Sequence, residues 1–149
     1  MSLLNSDTTV EVNLYYELKK TPEGFNKIKV YEKDEGKKKF EEQKELEEDK
    51  KTVEVLKTKW KVLNWKEQNQ VTSNSTYFNQ MEGVQDIDFF KYRDQRIKAC
   101  LVSWDLKDAA GKQVPVHPNM IDQLPAEVVY GLVSEYDRIV NLTEEDEGK

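Results

Sequence analysis

The stretch Val10-Glu11-Val12-Asn13-Leu14-Tyr15-Tyr16-Glu17-Leu18 decides the fold class. Its apolar residues Val10, Val12, Leu14, Tyr16 and Leu18 fall on every second position, the period of a strand with one buried face. Thr21-Pro22-Glu23-Gly24 follows, with proline where a turn wants a preset φ and glycine where the chain must bend back. Phe25, Ile28 and Val30 resume the apolar series, so the pair reads as a hairpin. Further on, Leu56, Thr58, Trp60 and Val62 alternate with Lys57, Lys59 and Lys61. This is a third strand, bulky on one face and basic on the other, expected to join the hairpin.

Between these strands, sixteen of the twenty residues from Glu32 to Lys51 are charged, nine acidic and seven basic. Phe40 and Leu46 alone interrupt them with large apolar side chains, so no continuous stripe exists to pack. The segment reads as a charged insertion. Mixed charges three and four apart favour a solvated helix, whereas Gly36 and low hydrophobicity favour a flexible loop, and both readings stay open.

Downstream the period changes. Asn64, with Glu67 three residues later, resembles a capping box and predicts a helix running towards Phe78. Gly83 ends that unit, and Asp86 or Asp88 starts the clearest helix. There Phe89, Phe90, Arg93, Ile97, Cys100, Leu101 and Trp104 lie mostly three or four apart. Asp108-Ala109-Ala110-Gly111 is a turn, Val114-Pro115-Val116 is extended, and Pro118 opens a short helix as far as Gln123. Pro125 opens another, striped by Val128, Val129, Leu132, Val133, Tyr136, Ile139 and Val140. The expected architecture is α+β: an N-terminal antiparallel sheet of about three strands with a charged insertion, followed by three or four helices. A single domain over residues 1–142 carries the insertion at 32–51 and ends in an acidic tail at 143–149.

The totals bound the function. With 149 residues, one core suffices, yet 35% of the residues are charged against 37% hydrophobic, so part of the chain is expected outside it. A net charge of −6 and a pI near 5.0 repel nucleic acid and anionic lipid. One cysteine cannot form an internal disulfide, and Met-Ser-Leu-Leu-Asn-Ser-Asp has no basic and apolar signal blocks, so a reducing cytoplasm is expected. No apolar run nears the roughly 20 residues a membrane helix requires.

Candidate chemistry has cheaper structural readings throughout. One histidine, His117, would have to serve any nucleophile, and between Val116 and Pro118 it reads as a cap or turn. Cys100 reads as a small buried hydrophobe. One His and one Cys cannot make a tight zinc site. Asp105, Asp108 and Gly111 lack the alternating oxygen ligands of a calcium loop, and Asp86 and Asp88 are explained by helix capping. The isolated glycines, Gly111-Lys112-Gln113 among them, form no phosphate cradle. Lys57, Lys59 and Lys61 with Trp60 and Trp65 make the best case for nucleic acid, but Trp60 has the opposite parity, and an edge strand protected by lysine explains the pattern. No enzyme, cofactor or metal is expected.

One succession resembles a known family. It runs Trp60-Lys61-Val62-Leu63-Asn64-Trp65-Lys66-Glu67-Gln68, Asp88, Tyr92-Arg93 and Ile97 through Ser103-Trp104-Asp105-Leu106-Lys107-Asp108. It then passes Gly111, Val114-Pro115-Val116 and Leu124-Pro125 to Val129. Over residues 52–142 this order resembles small proteins encoded among the tail genes of tailed bacteriophages, many of them tail assembly chaperones or tail-associated structural proteins. The resemblance implies stoichiometric binding, with copies covering apolar helices of a tape-measure or tail-tube-like partner in the host cytoplasm. Candidate partner-binding residues are Phe89, Phe90, Ile97 and Trp104 on the first apolar helix and Leu132 and Tyr136 on the last. A homo-oligomer is a further possibility. Two alternatives stand beside this one: a permanent subunit of the virion neck, tail or baseplate, and a nucleic-acid-binding or inhibitory phage protein.

Overall fold

Period-two patterning produces β1 (Thr9–Lys20), β2 (Asn26–Tyr31) and β3 (Val53–Lys61) in a computed structural model that describes residues 8–147. A fourth strand, β6 (Leu101–Trp104), completes one antiparallel sheet in the order β2-β1-β3-β6. A separate two-stranded sheet pairs β4 (Thr76–Asn79) with β5 (Val84–Ile87). The helices are α1 (Lys33–Glu42), α2 (Trp65–Asn74), α3 (Phe89–Cys100), α4 (Pro118–Ile121) and α5 (Ala126–Glu147). The α+β class is as expected, with four strands where about three were predicted and five helices where three or four were.

The main core lies on the face of the sheet to which the even positions of β1 point. Val12 and Leu14 meet Leu56 and Trp60 of β3, and α3 and α5 close over them with Ile97, Cys100, Leu132 and Tyr136. Gly131 is the point of closest approach, since a Cβ there would stand 2.7 Å from Leu14 Cδ1.

Four expectations are corrected. The apolar helix expected to reach Trp104 stops at Cys100, and Leu101–Trp104 is β6. A register irregularity between Lys59 and Trp60 sets Leu101 opposite Trp60 and Trp104 opposite Thr58. Two residues three apart therefore enter the same core from a strand, which imitates the helical period in the sequence. The capping box at Asn64 and Glu67 forms as read, but its helix ends at Asn74. There Ser75 is buried, its hydroxyl donates to the Val71 carbonyl at 2.7 Å, and Thr76-Tyr77-Phe78 leave as β4. The lysine-bearing strand is no edge, because β3 lies between β1 and β6.

The fourth correction concerns the insertion. Its first half is α1, followed by two short 3₁₀ turns at Gln43–Glu45 and Glu48–Lys50, and the helix packs on the opposite face of the sheet. Gly36 makes this possible: a Cβ there would lie 2.8 Å from Tyr15 Cγ. Phe40 meets Tyr15 with ring centroids 5.9 Å apart, and Tyr31, Val53 and Val55 fill in around them. Gln43 pins the far end, accepting from the Val53 amide at 2.9 Å while donating to the Val53 carbonyl. The glycine that reads as a disorder signal is thus the contact that lets the helix dock. At the other end, α5 continues as helix to Glu147, through most of the span read as a tail; Gly148 and Lys149 lie outside the described residues.

Candidate interaction surface

The start of α3 and the small hairpin before it are built as one unit. Asp88 caps α3, its Oδ1 accepting from the Phe90 and Lys91 amides at 3.1 Å each. The Asp88 amide itself donates to the Ser75 carbonyl at 2.8 Å, which ties the base of β4–β5 to the helix. At the hairpin tip, Asn79 Oδ1 accepts from the Met81 amide at 3.1 Å, and Gly83 supplies a left-handed residue at φ +68°.

This unit displays apolar side chains to solvent. Tyr77, Phe78 and Val84 are about half exposed, Met81 98%, Phe89 71% and Phe90 78%. By the ladder register Tyr77 and Val84 share one face of the hairpin and Phe78 stands on the other. Phe90 and Tyr130 of α5 also flank a groove between α3 and α5 whose floor includes Ile97, Ile121 and Val129. The Arg93 guanidinium lies 4.8 Å from the Tyr130 ring centroid.

Of the six residues expected to bind a partner, the structure leaves Phe89 and Phe90 on the surface. Ile97, Trp104, Leu132 and Tyr136 are core side chains, none more than 5% exposed. Sequence reasoning missed Tyr77, Phe78, Met81 and Val84. Asn79 and Gly83 between short apolar groups signal a hairpin, but the capping box upstream pulled that segment into a helix.

The hairpin's own segment carries charge of one sign, and Lys91 is the first cation after it. From Glu67 to Phe90 there are 24 residues with no lysine or arginine and four carboxylates. Asp86, opposite Tyr77 in the ladder, acts first to push the Tyr77 hydroxyl up, with Asp88 and Glu82 adding to it.

His117 and Cys100 make structural contacts. His117 caps α4, its Nδ1 accepting from the Asn119 amide at 3.2 Å. Cys100 is buried, and burial pushes its thiol up. Lys57 and Lys59 lie on the uncovered half of the outer sheet face, while Trp60 points into the core as its parity predicts and Trp65 is exposed. Among the described residues, no group of three or more His, Cys, Asp and Glu could hold a metal ion.

No protein-family model, no curated protein and no solved structure matches this chain. Among the described residues no helix is long and apolar enough to cross a membrane.

The segment that carries the resemblance is internally bonded. Trp104 Nε1 donates to the Val114 carbonyl at 2.6 Å, and Gln113 Nε2 donates back to the Trp104 carbonyl at 2.6 Å. Asp105 Oδ1 accepts from the Lys57 amide, Asp108 Oδ1 from the amides of Ala110 and Lys112, and Gly111 turns at φ +80°. These residues shape a loop whose Leu106, Val114 and Val116 pack against the main core.

Proposed function

We propose that this chain is a non-enzymatic protein that binds other proteins through the β4–β5 hairpin and the first turn of α3. The supporting observation is the set Tyr77, Phe78, Met81, Val84, Phe89 and Phe90, all held at the surface by a bonded scaffold. Aromatic and methionine side chains supply much contact area and adapt to irregular partners. The setting we propose is tail assembly in a tailed bacteriophage, where the chain covers apolar segments of a tape-measure or tube protein until tube subunits replace it. The Ser103-to-Val129 succession suggests that setting.

Photo-cross-linking from position 81 in infected cells tests the reading. The expected product joins this chain to another tail protein, and Phe89→Ser with Phe90→Ser reduces its yield at least several-fold without unfolding the chain. Mass spectrometry of purified particles supplies a second arm. Stoichiometric presence in mature virions would sink the chaperone role in favour of a permanent subunit.

A further inference from the structure

The end of the main sheet carries a second surface, opposite in charge to the first. The last pairing of β1 with β3 is Glu17 with Val53, so Leu18–Lys20 and Asn26–Ile28 pair with each other alone, as a two-stranded ribbon past the end of β3. Thr21 and Gly24 close it: the Thr21 amide donates to the Phe25 carbonyl at 2.8 Å, and Gly24 turns at φ +93°. Leu18 and Phe25 are exposed there.

The ribbon is basic. Lys19 and Lys27 are directly opposite in the ladder, a like-charge pair that costs stability in the isolated chain. Lys20 and Lys29 add to them, against Glu23 and Glu17. Among the described residues, Lys19, Lys20 and Lys27 form no ion pair. The β4–β5 hairpin is the inverse: apolar side chains set among Glu82, Asp86 and Asp88, with no cation in its own segment.

We propose that copies of this chain associate head to tail, the β1–β2 ribbon of one seated on the β4–β5 hairpin of the next. Phe25, at the ribbon's turn on the same side as the Lys19–Lys27 pair, then meets the hairpin's Tyr77, Met81 and Val84. The lysines meet the carboxylates, and the unfavourable Lys19–Lys27 pair gains counter-charges. The two surfaces differ, so the contact is heterologous and propagates into a ring or a filament instead of stopping at a symmetric dimer. The inference rests on reading the hairpin as an interaction surface and names a second copy as its occupant.

Sedimentation of the full chain over a concentration series, at low and high salt, tests it. The expected result is a mass that rises above 17.5 kDa with concentration at low salt, with association weakened roughly tenfold or more at high salt. Lys19→Glu with Lys27→Glu gives a monomer, and so does Glu82→Lys with Asp86→Lys. An equimolar mixture of the two variants associates again, because each then offers the other an opposite charge. Circular dichroism checks that both variants fold; if either does not, the wild-type salt series decides alone. A wild-type mass of 17.5 kDa throughout at low salt overturns the proposal, as does association that neither reversal changes. The first outcome leaves binding to other proteins standing, since cross-linking in infected cells reads that separately.

Discussion

Trp60 and Tyr136 stack across the main core, ring centroids 4.7 Å apart and planes inclined by 24°. The pair joins α5 to β3, and its polar ends are both satisfied. Tyr136 donates to the Lys61 carbonyl at 3.0 Å; Trp60 Nε1 donates to Thr58 Oγ1 at 2.8 Å, and that hydroxyl donates to the Val12 carbonyl at 2.6 Å.

Removing parts of this arrangement should cost in proportion to what is lost. Tyr136→Phe keeps the stack and strands the Lys61 carbonyl, for a loss of about 1 kcal/mol. Tyr136→Ala empties the site beside Trp60, for a loss of about 3–5 kcal/mol. Urea unfolding followed by tryptophan fluorescence distinguishes the two, and equal losses would contradict this account of the pair.

Gly36→Ala tests the docking of α1. The added methyl meets Tyr15 on a backbone-to-sheet contact that cannot yield by a rotamer change, so a loss of about 1–3 kcal/mol is expected. Limited proteolysis should then cut within residues 33–51 much faster than in the wild type, while the fluorescence of buried Trp60 and Trp104 stays near native. Unchanged cleavage would mean that the helix does not depend on this approach.

Alkaline pH should weaken the fold. Burial pushes the Tyr16 and Tyr136 hydroxyls up, and the hydrogen bond to Glu17, with burial, pushes Tyr31 up to about 12. Unfolded tyrosines ionise near pH 10, so above that value the unfolded chain holds fewer protons than the folded one, and stability falls as pH rises. Below about pH 10 this contribution is complete. Urea midpoints between about pH 9 and 12, read with phenolate absorbance, should fall together with the appearance of the last phenolates.

Cys100 should react with a thiol reagent only as the core opens. Its burial and raised thiol predict a rate at neutral pH at least about a hundredfold below that of the urea-unfolded chain. A rapid native reaction would place Cys100 nearer to solvent than the fold allows.

How much of this was legible in the sequence depends on whether a signal was local. β1, the Pro22-Gly24 turn, the Asn64–Glu67 and Asp88 caps and the α5 stripe are each written within a few neighbouring residues, and they form where read. The failures came from partners distant in the chain. Leu101 and Trp104 imitate a helix because the irregularity that aligns them sits in β3, about forty residues away. Gly36 is explained by Tyr15, and nothing near Gly36 points there. Phe89 and Phe90 could be singled out as apolar, yet nothing near them marks their exposure: Phe90 shares a helical stripe with buried Ile97 but stands one end of α3 away from it. The hairpin at 76–87 was hidden by a strong capping box that belongs to a shorter helix.

The docking of α1 on the outer sheet face also bears on cooperativity. No residue of 32–51 enters the main core, and the second cluster holds Tyr15, Tyr31 and Val53 with Phe40 and Val55. The two clusters share strands but no side chains. Release of α1 therefore has its own free energy, smaller than that of global unfolding, and amide exchange in α1 should report the lower value while β1 and β3 report the higher. A single denaturation midpoint would average two events, so the stability of this chain is properly a pair of numbers.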